Sequence, residues 1–226
     1  TLKNNGYEPF IATGRSSAET RDIMESANIH SGIFMNGQVV LYQEQVIYSS
    51  QIPTETVEKF HQMVKEDGYG LTAYNHEQFY LVASSEGAKD AYGFIHTNPP
   101  ALKEDFYKNH PINMMLFICL PPAEEKYKEA FPHLDFLRNT PFSVDVITKG
   151  NSKAEGIKRF LEYLNQEDAE TFAFGDGPND IEMLQAVQHP VAMGNALPIL
   201  KEIAEFITTD NTDNGIINGL KHYGLI

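Results

Sequence analysis

The sequence predicts an α/β protein: a doubly wound parallel sheet with helices on both faces, interrupted by an inserted α+β unit. Three observations carry that prediction. Short β-rich runs alternate with helical periodicity from Tyr7 to Leu41 and again from Val146 to Ile226. Between Ile52 and Thr140 the pattern changes to helices followed by paired strands. At 226 residues, 42% of them apolar, the chain is also long enough to bury a sizeable core as one large or two modest domains. We therefore expect a core domain from residues 1–51 and 141–226 and an inserted domain over 52–140.

Leu2 to Gly6 reads as the last turn of a helix closed by glycine, and Tyr7 to Ala12 as the strand it feeds. A helix end feeding a strand is the second half of a βαβ unit, which implies that about 30 further residues, a strand and most of a helix, precede Thr1 in the intact protein. Helix Ser17 to Ala27 follows, then short strands Ile33 to Met35 and Val39 to Tyr42 around Asn36-Gly37, a hairpin signal. The inserted unit contributes helix Thr54 to Glu66, strands Leu71 to Tyr74 and Phe79 to Val82, a break at Asn98-Pro99-Pro100, the apolar strand Met114 to Leu120 and helix Ala123 to Ala130. Hairpin-like pairs of this kind predict an antiparallel sheet. Back in the core, Val144 to Ile147 leads to helix Ser152 to Leu164, whose Ile157, Phe160, Leu161 and Leu164 share one face. Strand Thr171 to Phe174, a helix to about Ala186, Val191-Ala192, helix Ala196 to Ala204 and Phe206-Ile207 complete the alternation.

Composition narrows the function. No apolar run approaches the ~20 residues of a membrane-spanning helix. With 31 acidic against 17 basic residues, a formal charge of −14, the chain repels nucleic acid and anionic lipid, so neither is expected as a partner. Cys119, the single cysteine, lies inside an apolar run, which fits a buried residue in a reducing cytoplasm.

In open α/β sheets ligands bind at the carboxyl ends of the strands, and three such places carry chemistry. After the first strand comes Thr13-Gly14-Arg15, then an S-x-x-E capping box, Ser16 with Glu19. A hydroxyl and backbone amides at a helix start suit an anion, although an ordinary strand-helix turn reads the same way. After the Val144 strand, a second such box, Ser152 with Glu155, puts Lys153 at the first helical position. There the helix dipole disfavours a cation, a conflict that a bound anion removes or that a solvated side chain avoids. After the Thr171 strand, "GDGPNDIEML" places Asp176 and Asp180 four positions apart. Asp180 suits the first helical turn on its own account, but two adjacent carboxylates repel unless a hard cation such as Mg²⁺ sits between them.

Together these stretches resemble the haloacid dehalogenase (HAD) superfamily in its Cof-type phosphatase branch. "FIATGRS" resembles the second motif of that family, "KGNSKAEGIKRFLE" the third and "FAFGDGPNDIEML" the fourth; "FMNGQVV", "AMGNA" and "FITTDNTDNG" resemble further stretches of the branch. The resemblance implies a Rossmann-like core with a large cap and a Mg²⁺-dependent phosphatase for small phosphorylated metabolites such as sugar phosphates. It implies that Thr13, Gly14, Arg15, Lys153 and Asn179 bind the phosphate, that Asp176 and Asp180 hold Mg²⁺, and that Thr13, Lys153, Asp176 and Asp180 serve catalysis. The family's first motif, D-x-D-G-T, which supplies the aspartate nucleophile, does not occur in the sequence. We expect it on the preceding segment and expect the chain as written to be inactive. A phosphosugar mutase, or a phosphate-binding protein without catalysis, is the alternative. No protein partner can be inferred, and Tyr74, His76 and Tyr80 of the inserted unit either face the crevice or pack.

Overall fold

The computed structural model describes residues 1–226, the side chain of Asn139 excepted. The chain opens with a helical turn, Leu2–Asn5, closed by Gly6 at φ 89°. Strands β1 (Ile11–Ala12), β2 (Gly32–Phe34), β3 (Val39–Tyr42) and β4 (Gln45–Ser49) form one sheet, with helix α1 (Ser17–Ala27) between the first two. Only β1 and β2 pair in parallel; β3 and β4 extend the sheet as antiparallel strands. Pairing with β2 reaches only Ile11 and Ala12, so β1 is two residues long where Tyr7 to Ala12 was expected.

The inserted unit comprises α2 (Thr54–Asp67), β5 (Gly70–Tyr74), β6 (Phe79–Ala83), α3 (Ala88–Phe94), α4 (Phe106–Asn109), β7 (Met114–Ile118), α5 (Glu124–Ala130), β8 (Leu134–Thr140) and β9 (Ser143–Thr148). Its five strands run antiparallel in the order β6-β5-β7-β9-β8. This corrects the expectation for Val144 to Ile147, which joins the antiparallel sheet as β9 rather than the parallel core. The boundary at 140/141 consequently falls inside the β8–β9 hairpin. The physical reason is burial on both faces. One face of the sheet packs Phe117, Val144 and Val146 with Phe60 and Tyr127 of α2 and α5, while the other presents Tyr74, Met114 and Ile147 to Phe34, Met35 and Val39 of the core. With Val144, Val146 and Ile147 all fully buried, the strand reads in sequence as a parallel core strand.

After the insertion, α6 (Lys153–Leu164), β10 (Phe172–Gly175), α7 (Ile181–Ala186), β11 (His189–Ala192), α8 (Pro198–Ile203), β12 (Phe206–Ile207) and α9 (Gly215–His222) alternate as expected. Strands β10, β11 and β12 form a separate parallel sheet. Ile33, Val40, Ile157, Phe160, Ala173 and Leu184 weld both core sheets and α6 into one apolar cluster. Each large side chain so buried contributes about 1.5–3 kcal/mol. Among the described residues no helix is long and apolar enough to cross a membrane.

His61 on α2 is buried, and its Nε2–H donates to the Val82 carbonyl at 2.8 Å, leaving Nδ1 to accept from the Tyr107 hydroxyl at 3.2 Å. Burial lowers its pKa below the ordinary 6.5, outweighing the Val82 carbonyl, which favours the charged ring. The folded state thus binds this proton less tightly than the unfolded chain. The stability His61 confers is full above pH 6.5 and is lost as pH falls through the lowered folded value. Urea unfolding midpoints are expected to fall between about pH 7.5 and about pH 5, and to fall less in His61→Gln. An identical pH dependence in wild type and variant would contradict this assignment.

Candidate active site

The three motifs meet through short, rigid connections. In the first, Thr13 N–H donates to Ile33 O at 2.8 Å, and the Thr13 hydroxyl oxygen accepts from Arg15 N–H at 3.1 Å. Ser16 then caps α1 reciprocally with Glu19, the box expected from sequence. Arg15 itself is exposed.

At the second, Ser152 Oγ accepts from Glu155 N–H at 3.3 Å and starts α6, so Lys153 is its first residue. Its side chain is buried at 6% exposure, and Nζ donates to Asp180 Oδ1 at 2.6 Å. The cation at the positive helix end is therefore compensated by a carboxylate of the chain itself, where the sequence suggested a bound anion or solvent.

In the third, Asp180 is equally withdrawn, 5% exposed, and its Oδ2 accepts from the N–H groups of both Asp176 and Gly177 at 3.0 Å. Gly175 makes the loop possible: a Cβ there would lie 2.7 Å from the Asp180 Cβ. Both Asp180 oxygens thus accept hydrogen bonds within the protein. Asp176 is exposed; its Oδ2 accepts from Asn195 Nδ2–H at 2.8 Å, and Asn195 is held by Asn211 N–H at 3.1 Å.

Among the described residues no three His, Cys, Asp or Glu side chains converge as a ready-made metal cage. That fits Mg²⁺, which keeps several waters and takes one or two carboxylates together with substrate phosphate. Asp176 has the exposed carboxylate for it. Asp180 acts behind Asp176 by fixing its backbone.

Sequence reasoning missed three residues here. Asn36, 2% exposed, donates from Nδ2 to Asp145 Oδ2 at 3.0 Å and accepts at Oδ1 from Asn179 Nδ2–H at 3.0 Å. Asn195 orients Asp176, and Asp145 reaches the site from β9. The available signals were a left-handed-tolerant Asn-Gly pair, the Asn of "AMGNA" and one charge inside an apolar strand. The inserted-unit candidates pack instead: Tyr74 is buried and stacks on Phe79, Tyr80 lies against Phe106, and the His76 carbonyl accepts from Ala18 N–H and the Ser17 hydroxyl.

Removing one partner of a buried ion pair strands the other. Lys153→Met is expected to cost about 3 kcal/mol or more in denaturant titration, and Lys153→Met with Asp180→Asn to recover most of that loss. Equal stability of the single variant and wild type would show that the pair is not desolvated in solution.

The family model of haloacid dehalogenase-like hydrolases matches residues 1–220. Over 226 residues the chain is 37% identical to the protein named "Putative phosphatase YkrA" of Bacillus subtilis (strain 168), a match covering 100% of this chain and 88% of that protein. A hypothetical protein from Geobacillus kaustophilus HTA426 superposes with a TM-score of 0.92 at 33% identity, over 100% of this chain and 88% of that one. The HAD subclass IIB sugar phosphatase BT4131 superposes with a TM-score of 0.85 at 29% identity, over 100% of this chain and 88% of that one. With its sequence matched across the family model and its fold matched along its whole length, this chain belongs to the haloacid dehalogenase-like hydrolase family.

Proposed function

We propose that the protein is a Mg²⁺-dependent phosphatase of the Cof-type branch, hydrolysing small phosphate monoesters, sugar phosphates or similar metabolites, through a phosphoaspartyl intermediate. The observation that carries this reading is the buried Lys153, locked by Asp180 in one network with the loops of Thr13 and Asp176. The names of the phosphatase relative and of the sugar phosphatase structure support the substrate class. A buried Cys119, whose thiol burial pushes up to about 11, fits a cytoplasmic protein.

In this reading an aspartate carboxylate attacks the phosphorus atom, an O–P bond forms as the ester O–P bond breaks, and the leaving alkoxide takes a proton from the general acid that the resemblance places on the same D-x-D-G-T motif. Water then hydrolyses the acyl phosphate to inorganic phosphate. The D-x-D-G-T stretch to which the resemblance assigns this aspartate is not among these residues. Thr13 Oγ, which accepts from Arg15 N–H, keeps its own proton to donate to a phosphoryl oxygen. Lys153 Nζ donates one hydrogen to Asp180 and retains two for the phosphoryl group. In this reading the Gly14 amide, the exposed Arg15 side chain and Asn179 bind and orient the phosphate. Mg²⁺ held at Asp176 would supply positive charge to the phosphoryl oxygens. Positioning and charge stabilisation of this kind are what phosphoryl transfer demands of a protein.

The test is phosphate release from p-nitrophenyl phosphate and a panel of hexose and pentose phosphates, using the intact gene product with Mg²⁺. Activity is expected to vanish with EDTA and to fall about a hundredfold or more in Asp176→Asn and Lys153→Met. The chain beginning at Thr1 is expected to release none. Transfer to a second sugar hydroxyl without free phosphate would point to a mutase, and binding without either reaction to a phosphate-binding protein; each overturns the proposal.

A further inference from the structure

The turn Met35–Gly37 touches every part of the site. Met35 N–H donates to Arg15 O at 3.0 Å and Asn36 N–H to Thr13 O at 3.1 Å, which ties the turn to the second-motif loop. Gly37 lies so close to the Ser152 carbonyl that a Cβ would stand 2.1 Å from it, which seats the turn on the start of the Lys153 helix. The Asn36 carboxamide reaches Asn179 of the fourth motif and Asp145 of the inserted sheet, each at 3.0 Å. All three residues are left-handed, with φ of 50°, 54° and 90°. Non-glycine residues hold that conformation only where the surroundings over-determine it.

We propose that Asn36 is a positioning residue whose carboxamide makes the orientation of Asn179 conditional on Asp145 of the inserted sheet. The reasoning is one of polarity. A primary amide has a donor end and an acceptor end that look alike in shape, and it takes whichever of two flipped orientations finds partners. Asn36 and Asn179 are both such groups, so the pair alone has no preferred direction. An ionised carboxylate only accepts. Asp145 therefore forces Nδ2 of Asn36 to face it, which leaves Oδ1 for Asn179 and obliges Asn179 to present its Nδ2. The reversed Asn36 would set oxygen against carboxylate and NH₂ against NH₂, with the group only 2% exposed. Asp145 belongs to the inserted sheet, which packs on Phe34, Met35 and Val39 of the core, and its Oδ2 lies 3.4 Å from where a Cβ on Gly14 would be. When that sheet sits on the core, Asn179 is aligned; when it departs, the direction of the chain is lost.

This inference rests on the phosphatase reading only for its kinetic arm. Asp145→Asn preserves shape but removes the acceptor-only group, and Asn36→Gly removes the carboxamide while accepting the left-handed backbone. In the intact protein, each is expected to lower kcat for a hexose phosphate about tenfold, and the double variant no further than either single one, as coupled groups do. Simple electrostatics predicts the opposite for Asp145→Asn, since a lost negative charge beside a phosphate site lowers KM and leaves kcat unchanged. A KM effect alone, or multiplicative losses in the double variant, overturns the proposal. The second arm needs no turnover: in ¹H–¹⁵N spectra the Asn179 side-chain amide pair, assigned by its loss in Asn179→Asp, is expected to shift or broaden in Asp145→Asn. Unchanged Asn179 resonances overturn the proposal too. If wild type hydrolyses no phosphate ester, the phosphatase reading fails and the spectra alone decide this one.

Discussion

A lysine ammonium and an aspartate carboxylate 2.6 Å apart, each less than a tenth exposed, are the joint on which the site hangs. Taking both charges out of water costs several kcal/mol per ion, and attraction between them offsets this only if the remaining polar atoms are also satisfied. On the carboxylate side they are, because the second Asp180 oxygen takes two backbone N–H groups. That requirement fixes geometry. Lys153 must begin α6 at one height, the Gly175–Asp180 loop must curl so that its amides meet Asp180, and Asp176 is thereby turned outward. A weaker contact could tolerate drift; a desolvated ion pair does not.

The Met35–Gly37 turn solves the complementary problem of holding loops from distant parts of the chain together. Two non-glycine residues in the left-handed region cost about 1–2 kcal/mol each. They are offset by hydrogen bonds to Thr13 and Arg15 and by the apolar packing of Met35, which is fully buried where core and inserted sheet meet. Strain concentrated at a junction of three motifs is a feature of functional sites rather than of ordinary hairpins.

How far the sequence discloses this depends on whether a signal is local. Ser16 with Glu19 and Ser152 before Lys153 announce helix starts because capping is decided within four residues, and both are found where expected. Edge strands β4 and β8 escape notice because their polar or exposed residues break the apolar pattern. β9 is recognised as a strand but assigned to the wrong sheet, since its pattern does not say which sheet it joins and a helix follows it as in the core. The site shows the same divide. Lys153 at a helix start and Asp180 beside Asp176 each look like local electrostatic conflicts requiring an outside ion. The fold brings these two positions, 27 residues apart, into contact, and each resolves the other. Asn36 is legible as a turn residue, whereas its carboxamide acquires a role only once Asp145 and Asn179 arrive from elsewhere in the chain.

What the ion pair leaves behind bears on how so acidic a protein meets a phosphate. Asp180 consumes the charge of Lys153, which leaves the exposed Asp176 against the exposed Arg15 at the loops. Taken alone, that balance does not attract an anion, and the −14 of the whole chain adds repulsion that salt screens only beyond about 8–10 Å. Short-range donors, the Thr13 hydroxyl and the two spare hydrogens of Lys153, act only after the phosphate has arrived. In the phosphatase reading proposed above, a divalent cation at Asp176 would reverse the local sign at the point of approach. Charge accounting and coordination chemistry then lead to the same carboxylate, the exposed Asp176, whose backbone N–H the buried Asp180 holds.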